Sequence, residues 1–339
     1  MKDRLGRTID YMRISVTDRC NFRCAYCMPA EGVELLGHEE ILRFEEMLTV
    51  VRAAAGLGIS KIRVTGGELF VRRKVMDFLK ELTRIPGIGM VSVTTNGSLL
   101  LEHLEELKQA GIGGINISLD TMEPGRFRQL TGRDELDHVL AAVKRAAEMN
   151  FARVKINCVP MKNYNEKDLV PITALARDYP VDVRFIELMP MGLGRRFQMV
   201  SQERVMELLE QEYGKLEPDT REKERAGQAE TVKMNCGNGP AVYYRLPGFT
   251  GSIGFISALS HEFCGSCNRI RLLADGSLKA CLNYGSTVNV RDLLRSGADE
   301  AEIREVLQKV IWEKPARHGF ENQAVRPERE DHMMSSIGG

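Results

Sequence analysis

The chain has 339 residues, of which 43% are hydrophobic, 28% charged and 6% aromatic. This length and apolar content predict two domains, or one large barrel with an appendage, and exclude a disordered chain. Because 47 basic residues balance 47 acidic ones, no overall field attracts nucleic acid or anionic lipid, and an anionic ligand must be bound by local groups. The N-terminal segment lacks the apolar core of a secretory signal and no 18 apolar residues run together, so we expect a cytoplasmic protein outside the membrane.

The first 190 residues alternate between short β-branched runs and amphipathic segments. Runs bounded by Gly, Asn, Asp or Pro predict strands at Tyr11–Ser15, Lys61–Thr65, Met90–Thr95, Gly114–Leu119, Val154–Val159 and Val183–Glu187. One intervening helix is indicated by Leu101, Leu104 and Leu107, ending at Gly111, and another by Leu136, Val139, Leu140, Val143 and Ala147.

Six strand–helix units predict a parallel sheet, which is either open and doubly wound or curved into a barrel. Six units fall short of the eight of a closed barrel. We therefore expect an α/β fold: an incomplete (βα)6 TIM-type barrel over residues 1–190, with its chemistry on loops at the C-terminal strand ends and an open side for another region to cover.

Residues 191–325 break this alternation and predict a C-terminal α+β region that closes the open side. A charged segment, Leu216–Thr231, reads as a solvated loop. Short strands are predicted at Val242–Arg245, Ser252–Ser257, Arg269–Leu273 and Ser277–Ala280, with an Asp275-Gly276 turn and a helix over Glu300–Lys314. The tail, 326–339, ends in Gly338-Gly339, and its composition predicts disorder.

Three cysteines, Cys20, Cys24 and Cys27, follow the first predicted strand at spacings of four and three. The same spacing on a helix would give a buried apolar stripe, but polar residues intervene, no helix caps surround them and Pro29 ends the stretch, so a loop is favoured. Three thiolates on a loop can hold three irons of a cubane cluster and leave the fourth iron open, whereas zinc would normally take a fourth side chain.

A second set, Cys264, Cys267 and Cys281, is ambiguous from the residues alone. Either Cys236 or His261 could complete it as a four-ligand structural zinc site. Cys158 lies in an apolar strand and reads as a small core residue, and Cys236 is predicted to be unligated.

The triad Cys20-x3-Cys24-x2-Cys27 followed by Thr65-Gly66-Gly67-Glu68 resembles the radical S-adenosylmethionine (SAM) enzymes. The longer segments DYMRISVTDRCNFRCAYCMP, FIELMPMG and FCGSCNRIRL, with the terminal diglycine, resemble the GTP 3′,8-cyclase family of molybdenum-cofactor biosynthesis over essentially the whole chain. Leu69 departs from the proline that usually follows Gly-Gly-Glu, which frees a backbone N–H.

The resemblance implies two [4Fe-4S] clusters and SAM as cofactors. Cys20, Cys24 and Cys27 would ligate the cluster that binds SAM, and Cys264, Cys267 and Cys281 a second cluster with one open iron. Glycine at Gly66 and Gly67 would let backbone approach the methionine part of SAM, with Glu68 orienting a neighbour. The other SAM-binding residues implied are Tyr26, Ser118 and Met189.

The implied substrate is GTP, whose guanine would bind the second cluster and whose product would be (8S)-3′,8-cyclo-7,8-dihydroguanosine 5′-triphosphate. Arginine and lysine at predicted strand ends would bind the triphosphate. The substrate residues implied are Arg13, Arg63, Thr94, Lys155, Arg269, Ile270 and Arg271, and the catalytic tail residues are Gly338 and Gly339. A reductant, protein or small molecule, and a downstream pterin-forming enzyme are the implied partners of a monomer or homodimer.

Two other functions remain open from the sequence. A radical SAM peptide-modifying enzyme would also carry an auxiliary cluster, although such enzymes usually have more C-terminal cysteines. A zinc-stabilised nucleic-acid-binding protein would use the CxxC as part of a structural zinc knuckle. The neutral net charge of the chain and its single tryptophan disfavour this function.

Overall fold

A computed structural model of the chain describes residues 1–220, 239–286 and 288–320. Within the first part, parallel strands run through the predicted positions and confirm the alternation. The strands are β1 (Tyr11–Ser15), β2 (Lys61–Thr65), β3 (Met90–Thr95), β4 (Gly114–Ser118), β5 (Arg153–Cys158) and β6 (Asp182–Ile186). The predicted bounds of the first three are the observed ones, and the last three differ by one residue at one or both ends.

Helices follow the strands and cover the outside of the sheet. They are α1 (Phe44–Gly56), α2 (Val75–Arg84), α3 (Leu100–Gln109), α4 (Pro124–Thr131), α5 (Leu136–Glu148), α6 (Leu169–Asp178), α7 (Gln202–Tyr213), α8 (Val290–Arg295) and α9 (Glu300–Trp312). In α3 the predicted apolar face is out of phase by one residue: Leu100, not Leu101, is buried with Leu104 and Leu107, and Leu101 is 42% exposed. Gly111 has a φ of +76°, a left-handed conformation that suits glycine just after a helix end.

The C-terminal region extends both edges of the sheet. Its strands are β7 (Glu217–Pro218), β8 (Val242–Arg245), β9 (Ile253–Ile256), β10 (Arg269–Leu272), β11 (Ser277–Lys279) and β12 (Val288–Asn289). The sheet order is β12-β11-β10-β1-β2-β3-β4-β5-β6-β9-β8-β7, with β10 parallel to β1 and β9 parallel to β6. The fold is thus an incomplete barrel, as predicted, and the C-terminal region widens it from both sides.

The apolar core lies between the sheet and the helices. Met12 and Ile14 of β1 and Val64 of β2 are fully buried there, whereas Arg13 and Arg63 alternate with them and face the barrel interior. The interior of a TIM barrel is normally filled by branched apolar side chains. A polar interior marks the inside of this barrel as the place to look for a ligand.

Three sequence features lie wholly or partly outside the described residues. The segment Leu216–Thr231, predicted as a solvated loop, is described only to residue 220, where Glu217–Pro218 form β7. Cys236 and the tail with Gly338 and Gly339 are outside the described ranges. Among the described helices, none combines the length and apolar character needed to cross a bilayer.

Candidate active site between two cysteine triads

Both cysteine triads line one cavity of about 360 Å³ inside the barrel. Most of the residues predicted for SAM and substrate line it as well: Arg13, Tyr26, Arg63, Gly67, Thr94, Ser118, Lys155, Met189, Arg269 and Arg271. The fold therefore brings together groups as far apart in the chain as Arg13 and Cys281.

The first triad lies on the loop after β1, as the sequence predicts. The Cys27 N–H donates to the Cys24 carbonyl at 2.8 Å, which makes a tight turn, and the Phe22 N–H donates to Cys20 Sγ at 3.4 Å. Burial raises the pKa of all three thiols, that of Cys27 to about 12. Such thiols lose their protons when a metal supplies compensating positive charge, so the donor set and its surroundings fit an iron–sulfur cluster.

Gly67 fits the first triad's loop against β2. A Cβ on Gly67 would lie 2.3 Å from the Arg19 carbonyl oxygen, and the Gly67 and Glu68 N–H groups donate to the Thr17 and Arg19 carbonyls, both at 2.8 Å. The absence of a Cβ thus serves the approach of two protein segments, beyond the approach of SAM that the resemblance implies. Gly66 also has no room for a side chain, because a Cβ added there would lie 3.0 Å from Thr17.

Glu68 is fully buried and orients neighbouring backbone. It accepts hydrogen bonds from Thr95 Oγ1 at 2.9 Å and from the Asn96 N–H at 2.7 Å, and from the Phe70 N–H at 3.2 Å. Burial raises its pKa to about 7 although these bonds oppose the shift. Leu69, where proline was expected, is buried and begins a short 3-10 helix, Leu69–Val71.

Asp120 is a cavity residue that the sequence reasoning missed. Its Oδ2 accepts a 2.7 Å hydrogen bond from the Tyr26 hydroxyl, and its Oδ1 accepts one from the Val159 N–H at 2.8 Å. Burial raises the pKa of Asp120 to about 6. Its position two residues after Ser118, at a parallel strand's C-terminal end, was the signal available in the sequence.

The second triad lies at the opposite end of the barrel, so the expectation that the chemistry lies only at C-terminal strand ends is wrong for it. Cys264 and Cys267 precede β10, which runs parallel to β1, and Cys281 follows β11, which returns antiparallel. The five residues of β1 separate the two ends, a height of about 16 Å at ~3.3 Å per residue. A ligand spanning the cavity can therefore reach both triads.

Arg7 and Lys314 hold the second triad's loops together, and neither was predicted. The Arg7 guanidinium, paired with Asp3 at 2.6 Å, donates to the carbonyls of Cys264 at 2.9 Å and Pro315 at 2.8 Å. Lys314 Nζ donates to the Arg269 carbonyl at 2.8 Å and also to that of Ala280.

These cations also change the acidity of one thiol. Burial raises the pKa of Cys267, but the charges of Lys314 and Arg269 outweigh burial, so that its pKa is lowered. Nearby positive charge favours thiolates, which are the form that binds iron. The second triad, like the first, fits a cluster.

His318, rather than His261, is the histidine beside the second triad. Its backbone N–H donates to Cys264 Sγ at 3.4 Å, and Glu262, Cys264 and His318 have ligand atoms within 4.8 Å of one another. His261, the histidine expected for the zinc alternative, is not in this group. Cys158 is buried in the core, as predicted.

The barrel interior carries a row of guanidinium groups. Arg13 lies in register with Arg63 on one side and Arg271 on the other, so the three side chains leave adjacent strands at one height. The expectation that the basic residues sit at strand ends is wrong for these three and for Lys155, which lie within strands. Because the strands are parallel and in register, these side chains point from the middle of their strands into the barrel, and their charges lie on the cavity wall.

Crowding of these cations lowers their pKa values. Burial and the Arg271 charge lower the pKa of Arg13 well below its usual range, and burial with Arg184 does the same for Lys155. The pKa of Arg271 falls to about 10 through burial and Arg269. An anion in the cavity would reverse these shifts, so the electrostatics favour an anionic ligand.

Three buried polar atoms on the cavity wall have no hydrogen-bond partner within residues 1–220, 239–286 and 288–320. They are Tyr11 OH, Thr94 Oγ1 and Arg269 Nε. Because buried polar groups are nearly always paired in native proteins, such atoms indicate a missing ligand. Thr94 and Arg269 are residues that the sequence assigns to substrate.

Ile270 differs from the other predicted substrate residues. Its side chain is 1% exposed and packs in the core on the far side of β10, so only its backbone is left to meet a ligand. Two arginines that the sequence reasoning missed do line the cavity, Arg153 and Arg184. Arg184 donates to Asn116 Oδ1 at 2.7 Å and to Asn157 Oδ1.

Comparisons with known proteins identify the family of the chain. The profile of the Radical SAM superfamily matches residues 14–176, and that of Molybdenum Cofactor Synthesis C matches residues 181–320. A GTP 3′,8-cyclase of Clostridium perfringens (strain 13) is 40% identical over 339 residues, and one of Syntrophomonas wolfei is 43% identical over 342 residues, each alignment covering 100% of both chains. The chain belongs to the GTP 3′,8-cyclase family. A member from Moorella thermoacetica is 41% identical, again over 100% of both chains.

Solved structures of low identity share the fold of the family. Streptococcus suis SuiB bound to precursor peptide SuiA superposes with a TM-score of 0.59 at 13% identity, over 95% of this chain and 68% of that one. The structure of anSMEcpe with bound AdoMet gives 0.54 at 15% identity, over 87% of this chain and 77% of that one. These likenesses show the fold alone, whereas the full-length relatives distinguish the cyclase family from the peptide-modifying alternative.

Proposed function

We propose that the protein is a radical SAM enzyme that cyclises GTP to (8S)-3′,8-cyclo-7,8-dihydroguanosine 5′-triphosphate, an early step of molybdenum-cofactor biosynthesis. The observation that carries this proposal is one cavity with a cysteine triad at each end and buried cations between them. The full-length identity to GTP 3′,8-cyclases supports the same reaction. The enzyme belongs to the lyases.

Cys20, Cys24 and Cys27 would hold the first [4Fe-4S] cluster. When bound, this cluster supplies the electron that cleaves SAM to methionine and a 5′-deoxyadenosyl radical. Gly67 and Glu68 fix the loop that carries the three thiolates, and Ser118 and Met189 line the cavity where SAM would lie. Tyr26 is oriented by Asp120 through the 2.7 Å hydrogen bond.

Cys264, Cys267 and Cys281 would hold the second cluster, which would offer an open iron to the guanine base. Arg7 and Lys314 fix the three segments that carry these cysteines. The triphosphate would lie against the guanidinium groups of Arg13, Arg63 and Arg271 and the ammonium group of Lys155, because forked donors suit phosphate oxygens.

The proposed reaction moves one hydrogen atom and closes one ring. With SAM and both clusters bound, the 3′ hydrogen of the GTP ribose would be transferred to give 5′-deoxyadenosine, and C3′ would then bond to C8 of the purine. One electron from the reductant and one proton from solvent would complete the product. Holding SAM and GTP in one cavity makes the hydrogen transfer unimolecular, and the buried walls exclude water.

Several parts of the proposal rest on the family resemblance. Gly338 and Gly339 would enter the active site, the electron donor would be a protein or small-molecule reductant, and a pterin-forming enzyme would take the product. We also keep as predictions a cytoplasmic location, a monomer or homodimer, and the division into residues 1–190, 191–325 and 326–339.

Anaerobic incubation with SAM, GTP and dithionite, followed by mass analysis of the nucleotide, tests the function. We expect about eight irons per chain, cleavage of SAM and a nucleotide product that has the mass of GTP, because it is an isomer of GTP, but separates from GTP by chromatography. Zinc without iron, or GTP recovered unchanged while SAM is cleaved, would contradict the proposal.

Cysteine variants separate the two triads. Cys24→Ala should abolish SAM cleavage, whereas Cys267→Ala should retain some cleavage and lose cyclisation, since the triads lie at opposite ends of the barrel. Cys158→Ala is the matched control, because Cys158 is buried outside the cavity. SAM turnover by Cys24→Ala at the wild-type rate would exclude the role of the first triad.

A further inference from the structure

Tyr11 occupies a position among the arginines that the proposed function does not use. It is the first residue of β1, in register with Arg269 of β10 and Lys61 of β2. Its side chain lines the cavity and the residue is only 8% exposed. It therefore faces the same space as the guanidinium row, towards the second triad's end.

The Tyr11 hydroxyl is a buried donor that lacks an acceptor in the described ranges. Two cationic side chains lie beside its ring: Arg63 Cζ is 5.5 Å and Arg269 Cζ 5.9 Å from the ring centroid. Guanidinium groups only donate hydrogen bonds, so they offer nothing to the phenolic proton. A ligand in the cavity can supply the missing acceptor.

The surroundings also determine the class of that ligand. An acceptor flanked by several guanidinium groups is most stable when it carries negative charge, as a phosphate oxygen does. Burial raises the pKa of Tyr11, but the charges of Arg63, Arg13 and Arg269 outweigh burial and lower it. A more acidic phenol is a stronger donor to an anion.

We propose that the Tyr11 hydroxyl donates a hydrogen bond to a phosphate oxygen of the nucleotide and helps the enzyme to select a polyphosphate over the bare nucleoside. This assignment rests on the proposed function, since it takes the cavity's ligand to be a nucleoside triphosphate. It adds a neutral donor to an otherwise cationic phosphate site.

Tyr11→Phe tests the assignment, because it removes one oxygen and keeps the ring that packs beside Arg63 and Arg269. Binding of GTP, guanosine and inorganic tripolyphosphate would be measured by anaerobic calorimetry on the cluster-loaded protein. We expect about tenfold weaker binding of GTP and tripolyphosphate, with guanosine binding and iron content unchanged. Tyr164→Phe is the matched control, since Tyr164 is 41% exposed and outside the cavity.

The outcomes distinguish this assignment from the proposed function. Equal affinity of Tyr11→Phe and wild type for tripolyphosphate would overturn the role of Tyr11, as would an equal loss of guanosine and GTP affinity. If the variant lost its second cluster, the tripolyphosphate measurement would still decide, because that ligand carries no guanine. Failure of the wild-type protein to bind GTP would instead contradict the cyclase function itself.

Discussion

Lys314 offers the sharpest test of how the second triad is held. Its ammonium group is buried, with the residue 2% exposed, and donates to the carbonyl oxygens of Arg269 and Ala280. Lys314→Met keeps an unbranched side chain that is one atom shorter but leaves two part-buried carbonyls without this donor. At roughly 1–3 kcal/mol for each unsatisfied group, the local cost is about 2–6 kcal/mol.

This cost falls on the segments that carry Cys267 and Cys281. We therefore expect Lys314→Met to lose the second cluster, so that iron falls from about eight to about four per chain, while SAM cleavage at the far end of the barrel continues. Iron analysis, electron paramagnetic resonance and SAM turnover without GTP measure these effects. Lys309→Met is the control, because Lys309 is exposed and lies in the last turn of α9, shortly before Lys314. A Lys314→Met protein with eight irons and wild-type GTP affinity would refute the reasoning.

Two further predictions concern the substrate and the first triad. Burial and the charge of Arg184 lower the pKa of Lys155, and a bound polyanion would raise it. GTP affinity should therefore fall as the pH rises through the lowered pKa that Lys155 has in the free enzyme. Calorimetry that shows equal GTP affinity from pH 6 to 10 would contradict this. Gly67→Ala should abolish SAM cleavage, because the new Cβ would lie 2.3 Å from the Arg19 carbonyl oxygen. Gly113→Ala is the control, because a Cβ there would lie 3.5 Å from its nearest neighbour and the residue is outside the cavity lining. Similar SAM turnover by both variants would argue against the close approach.

The parallel strands could be predicted because their signals are local. The β-branched runs that form β1, β2 and β3 begin and end at polar or turn residues, so their bounds follow from the sequence alone. The one-residue error in α3 has an equally local cause: Leu100 and Leu101 are adjacent, and the periodicity does not distinguish which of them faces the sheet.

The position of the second triad could not be predicted, because it depends on pairing between distant segments. β10 joins the sheet beside β1, and this pairing carries Cys264 and Cys267 to the N-terminal end of the barrel. Arg7 and Lys314 belong to no motif. Their hydrogen bonds go to backbone carbonyls, which every residue has, so the sequence contains no signal for these contacts. Pairing also moved the predicted phosphate-binding arginines from the strand ends to the inner wall.

The hydrogen bond from Arg7 to the Cys264 carbonyl joins residues 257 positions apart. It can therefore form only late in synthesis of the chain. Strands β1 to β6 and the first triad are complete once about 190 residues have left the ribosome, whereas β10, β11 and Lys314 come from the remainder. At about 5–20 residues per second, the rest of the chain takes roughly 7–30 s to emerge. The first triad is complete throughout this interval, whereas the second is complete only when the chain is nearly finished. The two triads are therefore assembled at different stages of synthesis.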